Sequence, residues 1–173
     1  MPAMPDRAPA ESEVPEAEVR RLQDLLFFAY RDFTNAADVV LEELGLGRAH
    51  HRALHFIGRN PGITVSDLLA ILRITKQSLA RVLSALVEQE YVAQSPGDTD
   101  RRQRLLTLTP KGQALERRLF ERQRERLAPA LAAAGSTAAG GFLSVMTQIM
   151  DDSARAYLEQ HAAGGGLRAG EGR

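Results

Sequence analysis

The stretch from Thr64 to Leu108 changes its hydrophobic period, and that change limits the chain to few folds. Leu68, Leu69, Ile71 and Leu72 form the apolar face of a short helix, with Thr64 as its N-cap and Asp67 three residues on. After Arg73 and Ile74 a second helix starts at Thr75, in which Leu79, Val82, Leu83, Leu86 and Val87 recur at helical spacing. The opposite face, carrying Lys76, Gln77, Ser78 and Arg81, must then look outward. From Tyr91 alternation replaces the helical period. Residues 91–94 and 104–108 read as strands around 95–103, a segment made of turn formers and charge. Two short helices joined by a tight turn and followed by a hairpin form a helix-turn-helix with a β wing.

The flanks read as helix. Leu22, Leu25, Leu26, Ala29, Phe33, Ala36, Val40, Leu41 and Leu44 share one face of a helix over about 19–44, ended by Gly45 and Gly47. A second helix over 48–59 buries Ala53, Leu54, Phe56 and Ile57 and stops at Asn60-Pro61-Gly62. Thr109 caps a long charged helix with Pro110 in its first turn, where the missing N–H costs nothing. Pro129 should kink or end that helix before an Ala-rich stretch to Gly135. A sixth helix, with Phe142, Leu143, Val145, Met146, Ile149, Met150 and Tyr157, should run to about Ala162.

The expected fold is therefore mainly α with a small β-hairpin wing, a winged helix-turn-helix embedded in an all-helical dimerisation scaffold. Its expected divisions are a disordered tail over 1–17, a helical dimerisation region over 18–46 and 112–162, the winged helix-turn-helix over 47–111, and a second disordered tail over 163–173. The scaffold helices carry more apolar surface than one winged helix can cover. A second copy of the chain is the economical partner.

The formal net charge is zero, yet it is not evenly spread. Residues 1–47 hold 4 basic and 10 acidic side chains, 48–126 hold 15 and 8, and 127–173 hold 3 and 4. The segments thus carry −6, +7 and −1, a basic middle of the kind that binds a polyanion. There is no cysteine, which removes disulfides, thiolate metal sites and thiol redox sensing and fits a reducing compartment. No apolar run is expected to cross a bilayer, which takes roughly 18 residues, and the Pro-rich acidic start does not read as an export signal. The expectation is a cytoplasmic protein working at the nucleoid. No nucleophile elbow, phosphate-cradling Gly loop or paired carboxylates point to an enzyme, and no cofactor is implied.

The order of elements, the string ITKQSLARVLSALVEQEYV and the pair Asp100 and Arg102 followed by LTLTPKG together resemble the MarR family of bacterial transcription regulators, over about residues 19–162. One departure is Glu90, where the family usually places glycine between recognition helix and wing. If that residue is left-handed, glutamate costs roughly 1 kcal/mol there. The resemblance implies a homodimer on a pseudo-palindromic operator. It also implies that Arg102 enters the minor groove, that Asp100 pairs with a basic group to hold the wing, and that a small anionic or aromatic effector binds a crevice near His50, His51, Arg52 and His55.

Chemistry sorts the remaining positions. Thr75, Lys76, Gln77, Ser78 and Arg81 form the exposed edge of the recognition helix, where Gln77 suits adenine and Lys76 suits guanine or phosphate, with Arg81 in reach of either. Arg101 and Arg104 would grip phosphates beside the Arg102 site, and Ser66 with the N-terminus of its helix would clamp another. His51 and His55, four residues apart with His50 beside them and His161 distant, leave a metal-responsive regulator open as an alternative. A winged-helix module that binds protein or RNA is the other.

Overall fold

A computed structural model describes residues 14–97 and 100–162. The tails expected to be disordered lie outside the described residues over 1–13 and 163–173, as do Asp98 and Thr99 in the wing and the side chain of His161.

The elements run α1 (Glu16–Glu42), α2 (Arg48–Arg59), β1 (Ile63–Thr64), α3 (Val65–Leu72), α4 (Lys76–Glu88), β2 (Val92–Pro96), β3 (Arg104–Leu108), α5 (Pro110–Gln148) and α6 (Asp152–Ala162). Threonine caps set three helix starts. The Thr64, Thr75 and Thr109 hydroxyls accept from the Asp67, Ser78 and Gly112 N–H groups at 3.1, 3.1 and 3.0 Å. Helix ends use left-handed residues. At the end of α1, Gly45 at φ 66° lets the Leu46 N–H reach Leu41 O at 2.9 Å. Glu90 at φ 60° does the same for α4, with the Tyr91 N–H on Leu86 O at 2.8 Å and its own N–H on Val87 O at 2.9 Å. The left-handed glutamate anticipated from the missing glycine is thus present.

The sheet is antiparallel in the order β1-β3-β2, with Val92 opposite Leu108 and Pro96 opposite Arg104. Strand β1 pairs Ile63 with Leu106, closing the sheet over the helices. The core lies within the winged helix and where it meets the scaffold. Leu54, Ile57, Leu68, Leu72, Leu79, Leu86 and Leu106 are buried, joined by Ala37, Val40 and Leu41 of α1 and by Leu115 and Leu119 of α5. The start of α5 is clamped to the α4–β2 connection. A Cβ on Gly112 would stand 2.0 Å from Tyr91 O, while Thr109 donates to Glu90 O at 2.6 Å and Lys111 Nζ to Gln89 O at 2.7 Å.

Several boundaries differ from expectation. Helix α1 begins at Glu16, inside the segment read as tail. Pro129 does not end α5; the break falls at Gly135, at φ 80° and ψ 165°, where two helical segments of α5 meet at a kink. The residues around Pro129 are solvent-exposed, so water can take the carbonyl that a proline leaves without its N–H partner. Phe142, Leu143, Val145 and Met146 lie in the segment after Gly135, as expected, but that segment ends at Gln148 and α6 starts only at Asp152. The apolar reading also changes: α5 holds an 18-residue window of mean hydropathy 1.3, long and apolar enough by composition to cross a membrane. That window owes its hydropathy to the uncharged run over 127–150, rich in alanine and glycine, and none of it is buried.

Candidate nucleic-acid interface

Helix α4 turns Leu79, Val82, Leu83 and Leu86 into the core, so Thr75, Lys76, Gln77, Ser78 and Arg81 are all exposed, as the spacing required. They do not have equal freedom. Thr75 and Ser78 are engaged in the N-cap, their hydroxyls 2.8 Å apart. Lys76, Gln77 and Arg81 make no side-chain hydrogen bond or ion pair among the described residues and extend from a helix rigidly seated on its apolar face. Ser66 is exposed in the first turn of α3, where backbone N–H groups lack helical partners.

The hairpin presents Arg101, Arg102 and Arg104 to solvent, none with a side-chain partner among the described residues. Asp100 holds the tip differently from expectation. Its carboxylate accepts the Arg102 backbone N–H at 2.9 Å, and it forms no ion pair among the described residues. The physical reason is local: an aspartate bonding two residues on closes its own turn. The turn is completed by the Gln103 N–H on Asp100 O and the Gly97 N–H on Gln103 O, both 3.0 Å.

The histidines separate. His50 Nδ1 accepts the Gly47 N–H at 3.0 Å, capping α2. It does not line the nearby cavity. That cavity, of about 260 Å³, lies between α1, α2 and α5 and is lined by Tyr30, Phe33, His51, Arg52, His55 and Gln123 among others. Arg52 also donates to Leu72 O at 2.9 Å, tying α2 to the last turn of α3. Burial pushes the His50, His51 and His55 imidazoles below their ordinary range, with Arg59 and His51 adding to the effect at His55 and Asp38 opposing it at His51. Burial also raises the Glu116 carboxyl, 4.0 Å from His55 Nδ1. Of the two arginines in the cavity wall, Arg48 is paired with Asp38 at 2.7 Å, which leaves Arg52 as the one without an acid partner among the described residues. No group of three His, Cys, Asp or Glu side chains gathers among the described residues, so His51 and His55 stand as a pair only.

Sequence reasoning passed over Arg73. It occupies a left-handed position, φ 50°, in the turn between α3 and α4, and its guanidinium reaches α6. Its signal would have been the turn itself, whose left-handed position suits glycine or asparagine better than arginine. A second, larger cavity of about 710 Å³ lies between α2, α3 and α6, and includes Phe56, Ile71, Arg73, Met150 and Leu158 in its wall.

The fold and the exposed edge of α4 together define a winged helix-turn-helix protein with a helical scaffold. Residues 44–103 match the MarR family model. The chain is 45% identical over 144 residues to the HTH-type transcriptional regulator PetP of Rhodobacter capsulatus, covering 83% of this chain and 87% of that one. It therefore belongs to the MarR family of transcriptional regulators, which are not enzymes. Among solved structures, a SlyA-like transcription regulator from Listeria monocytogenes aligns with TM-score 0.64 at 21% identity, over 86% of this chain and 97% of that one. A mutant MarR from E. coli complexed with operator DNA aligns with TM-score 0.60 at 20% identity, over 78% and 96%.

Proposed function

We propose that this regulator binds double-stranded DNA sequence-specifically, as a homodimer on a pseudo-palindromic operator, and acts in the cytoplasm at the nucleoid. The observation that carries the reading is the exposed, unengaged edge of α4. Lys76, Gln77 and Arg81 are the side chains that would meet base edges, with Ser66 and the first turn of α3 on phosphate. Arg102 would enter a minor groove, where a narrow A·T-rich tract has enhanced negative potential, flanked by Arg101 and Arg104 on phosphates.

The scaffold supports the dimer. Phe27 (69% exposed) and Phe28 (57%) on α1, with Leu143 (63%) and Ile149 (60%) near the end of α5, are large apolar side chains left bare on the scaffold helices, which a second subunit would cover. A two-fold axis through this surface would set two α4 helices roughly 34–36 Å apart, one turn of DNA. The cavity containing His51, Arg52 and His55 is the proposed effector site, favouring a carboxylate or phenolate beside Arg52, with Tyr30 and Phe33 against its ring; Arg48, in the same wall, is already paired with Asp38 at 2.7 Å. An effector that prefers the subunit spacing rejected by DNA would release the operator, and operator would weaken effector binding by the same factor.

The test is a mobility shift with the DNA upstream of the protein's own gene, repeated between about 50 and 200 mM salt. The reading predicts a specific complex whose affinity falls steeply with salt. No specific complex at any salt, with retention on RNA or an acidic protein, would favour an interaction module instead.

A further inference from the structure

Helix α6 is tied to the winged helix at two places far apart in sequence. At the first, Arg73 Nη1 lies 2.5 Å from Asp151 Oδ2 and Nη2 donates to Ser153 Oγ at 2.8 Å. Ser153 in turn donates to Asp151 Oδ1 at 2.7 Å, which also accepts the Ala154 N–H at 2.9 Å. Asp151 is therefore the cap of α6 and the anchor of Arg73 at once. The Ser153 hydroxyl, the Ala154 N–H and Arg73 keep its carboxyl below the ordinary range. At the second place, Asn60, which ends α2, donates to Tyr157 Oη at 2.8 Å, and the Phe56 and Tyr157 rings meet edge to face at 5.6 Å.

The position of Arg73 gives the first tie its meaning. It is the left-handed residue at which the chain turns from α3 into α4, its own N–H on Leu69 O at 3.0 Å. Glycine or asparagine would take that conformation with less strain. Arginine instead extends a planar fork that bonds two oxygens on another element, a geometry lysine cannot reproduce. The turn that aims the recognition helix is thereby bolted to the start of α6, with the larger cavity lying between the two ties.

We propose that Arg73 is a positioning residue for DNA recognition, a latch through which Asp151 and Ser153 of α6 hold the α3–α4 turn in one orientation. The inference rests on the DNA-binding reading above. A turn held in advance need not be ordered on the DNA, so breaking the latch weakens binding without removing any DNA contact.

The experiment uses the full-length protein and four variants: Arg73→Ala, Arg73→Lys, Asp151→Asn, and Arg73→Ala with Asp151→Asn. Asparagine still caps a helix, so Asp151→Asn cuts the charge and leaves α6 its start. Amide hydrogen exchange is read first, without DNA. The latch predicts that Asp151→Asn speeds exchange about two- to five-fold in residues 74–79, some 75 residues away in sequence, and not in the wing. Unchanged exchange there overturns the proposal, whether or not the protein binds DNA. Operator affinity is read second, as a double-mutant cycle with its salt slope. Arg73→Ala, Arg73→Lys and Asp151→Asn should each weaken binding about two- to five-fold, the double variant no further, and Asp151→Asn should leave the salt slope intact. If Arg73→Lys binds like the native protein while Arg73→Ala lowers the salt slope, Arg73 is a phosphate contact and the latch is wrong. Tighter binding by Asp151→Asn also overturns it.

Discussion

Glu90→Gly should make this protein more stable, although it deletes a whole side chain. Glu90 sits at φ 60° in the turn that closes α4, and both backbone bonds of that turn depend on the left-handed geometry. Its carboxylate makes no hydrogen bond or ion pair among the described residues and its side chain is exposed, so nothing is lost with it. A non-glycine residue pays about 1–2 kcal/mol for that conformation. Glycine recovers this but gives the unfolded chain more freedom, worth about 0.5–1 kcal/mol, leaving a net gain of about 0.5–1 kcal/mol. For a chain of 173 residues that is a rise of roughly 1–4 °C in Tm. The assay is reversible thermal or urea unfolding of native protein, Glu90→Gly and Glu90→Ala. Alanine keeps the Cβ and therefore the strain, and should stay within about 0.5 kcal/mol of native. The reasoning is refuted if alanine stabilises as much as glycine, or if glycine destabilises. The end of α1 is the internal comparison, since the same turn there already has Gly45.

Other outcomes follow from the same geometry. Gly112→Ala places a Cβ on Tyr91 O and must part α5 from the α4–β2 connection, costing about 2–3 kcal/mol, or roughly 5–10 °C by thermal melt. Arg102→Ala should leave the melt unchanged and weaken operator binding with a shallower salt dependence; unchanged affinity would count against the wing assignment. Stability should fall as pH is lowered from about 7 towards 5.5. His50, His51 and His55 all lie below 6.5 in the folded protein, so the unfolded chain binds more protons once pH passes that value. Glu116, raised above 4.5, acts in the opposite sense nearer that value, and His55→Gln should flatten the profile measured by urea unfolding at each pH.

What was legible in the sequence was what short-range physics decides. The limits of α2, the Thr64 and Thr109 caps and strand β3 agree with the reading because each depends on residues within one turn or on strict alternation. The exposed edge of α4 was legible for the same reason, as the complement of its buried stripe. Strand β1 was not, since two residues carry no period and Ile63 becomes a strand only by pairing with Leu106. Around Pro129 the break expected there falls instead at Gly135, six residues on, where a residue without a Cβ takes φ 80°. His50 was grouped with His51 and His55 by adjacency, yet Gly47 claims it as a cap. Arg73 escaped notice because its partners, Asp151 and Ser153, are about 80 residues distant.

Footprinting on genomic DNA tests the central claim most directly. Two symmetry-related protected half-sites, centred about one helical turn apart and altered in base preference by Gln77→Ala or Arg81→Ala, are the predicted result. Protection of a single asymmetric site, or a pattern that both substitutions leave intact, would contradict the assignment of α4 as the reading edge of a paired regulator.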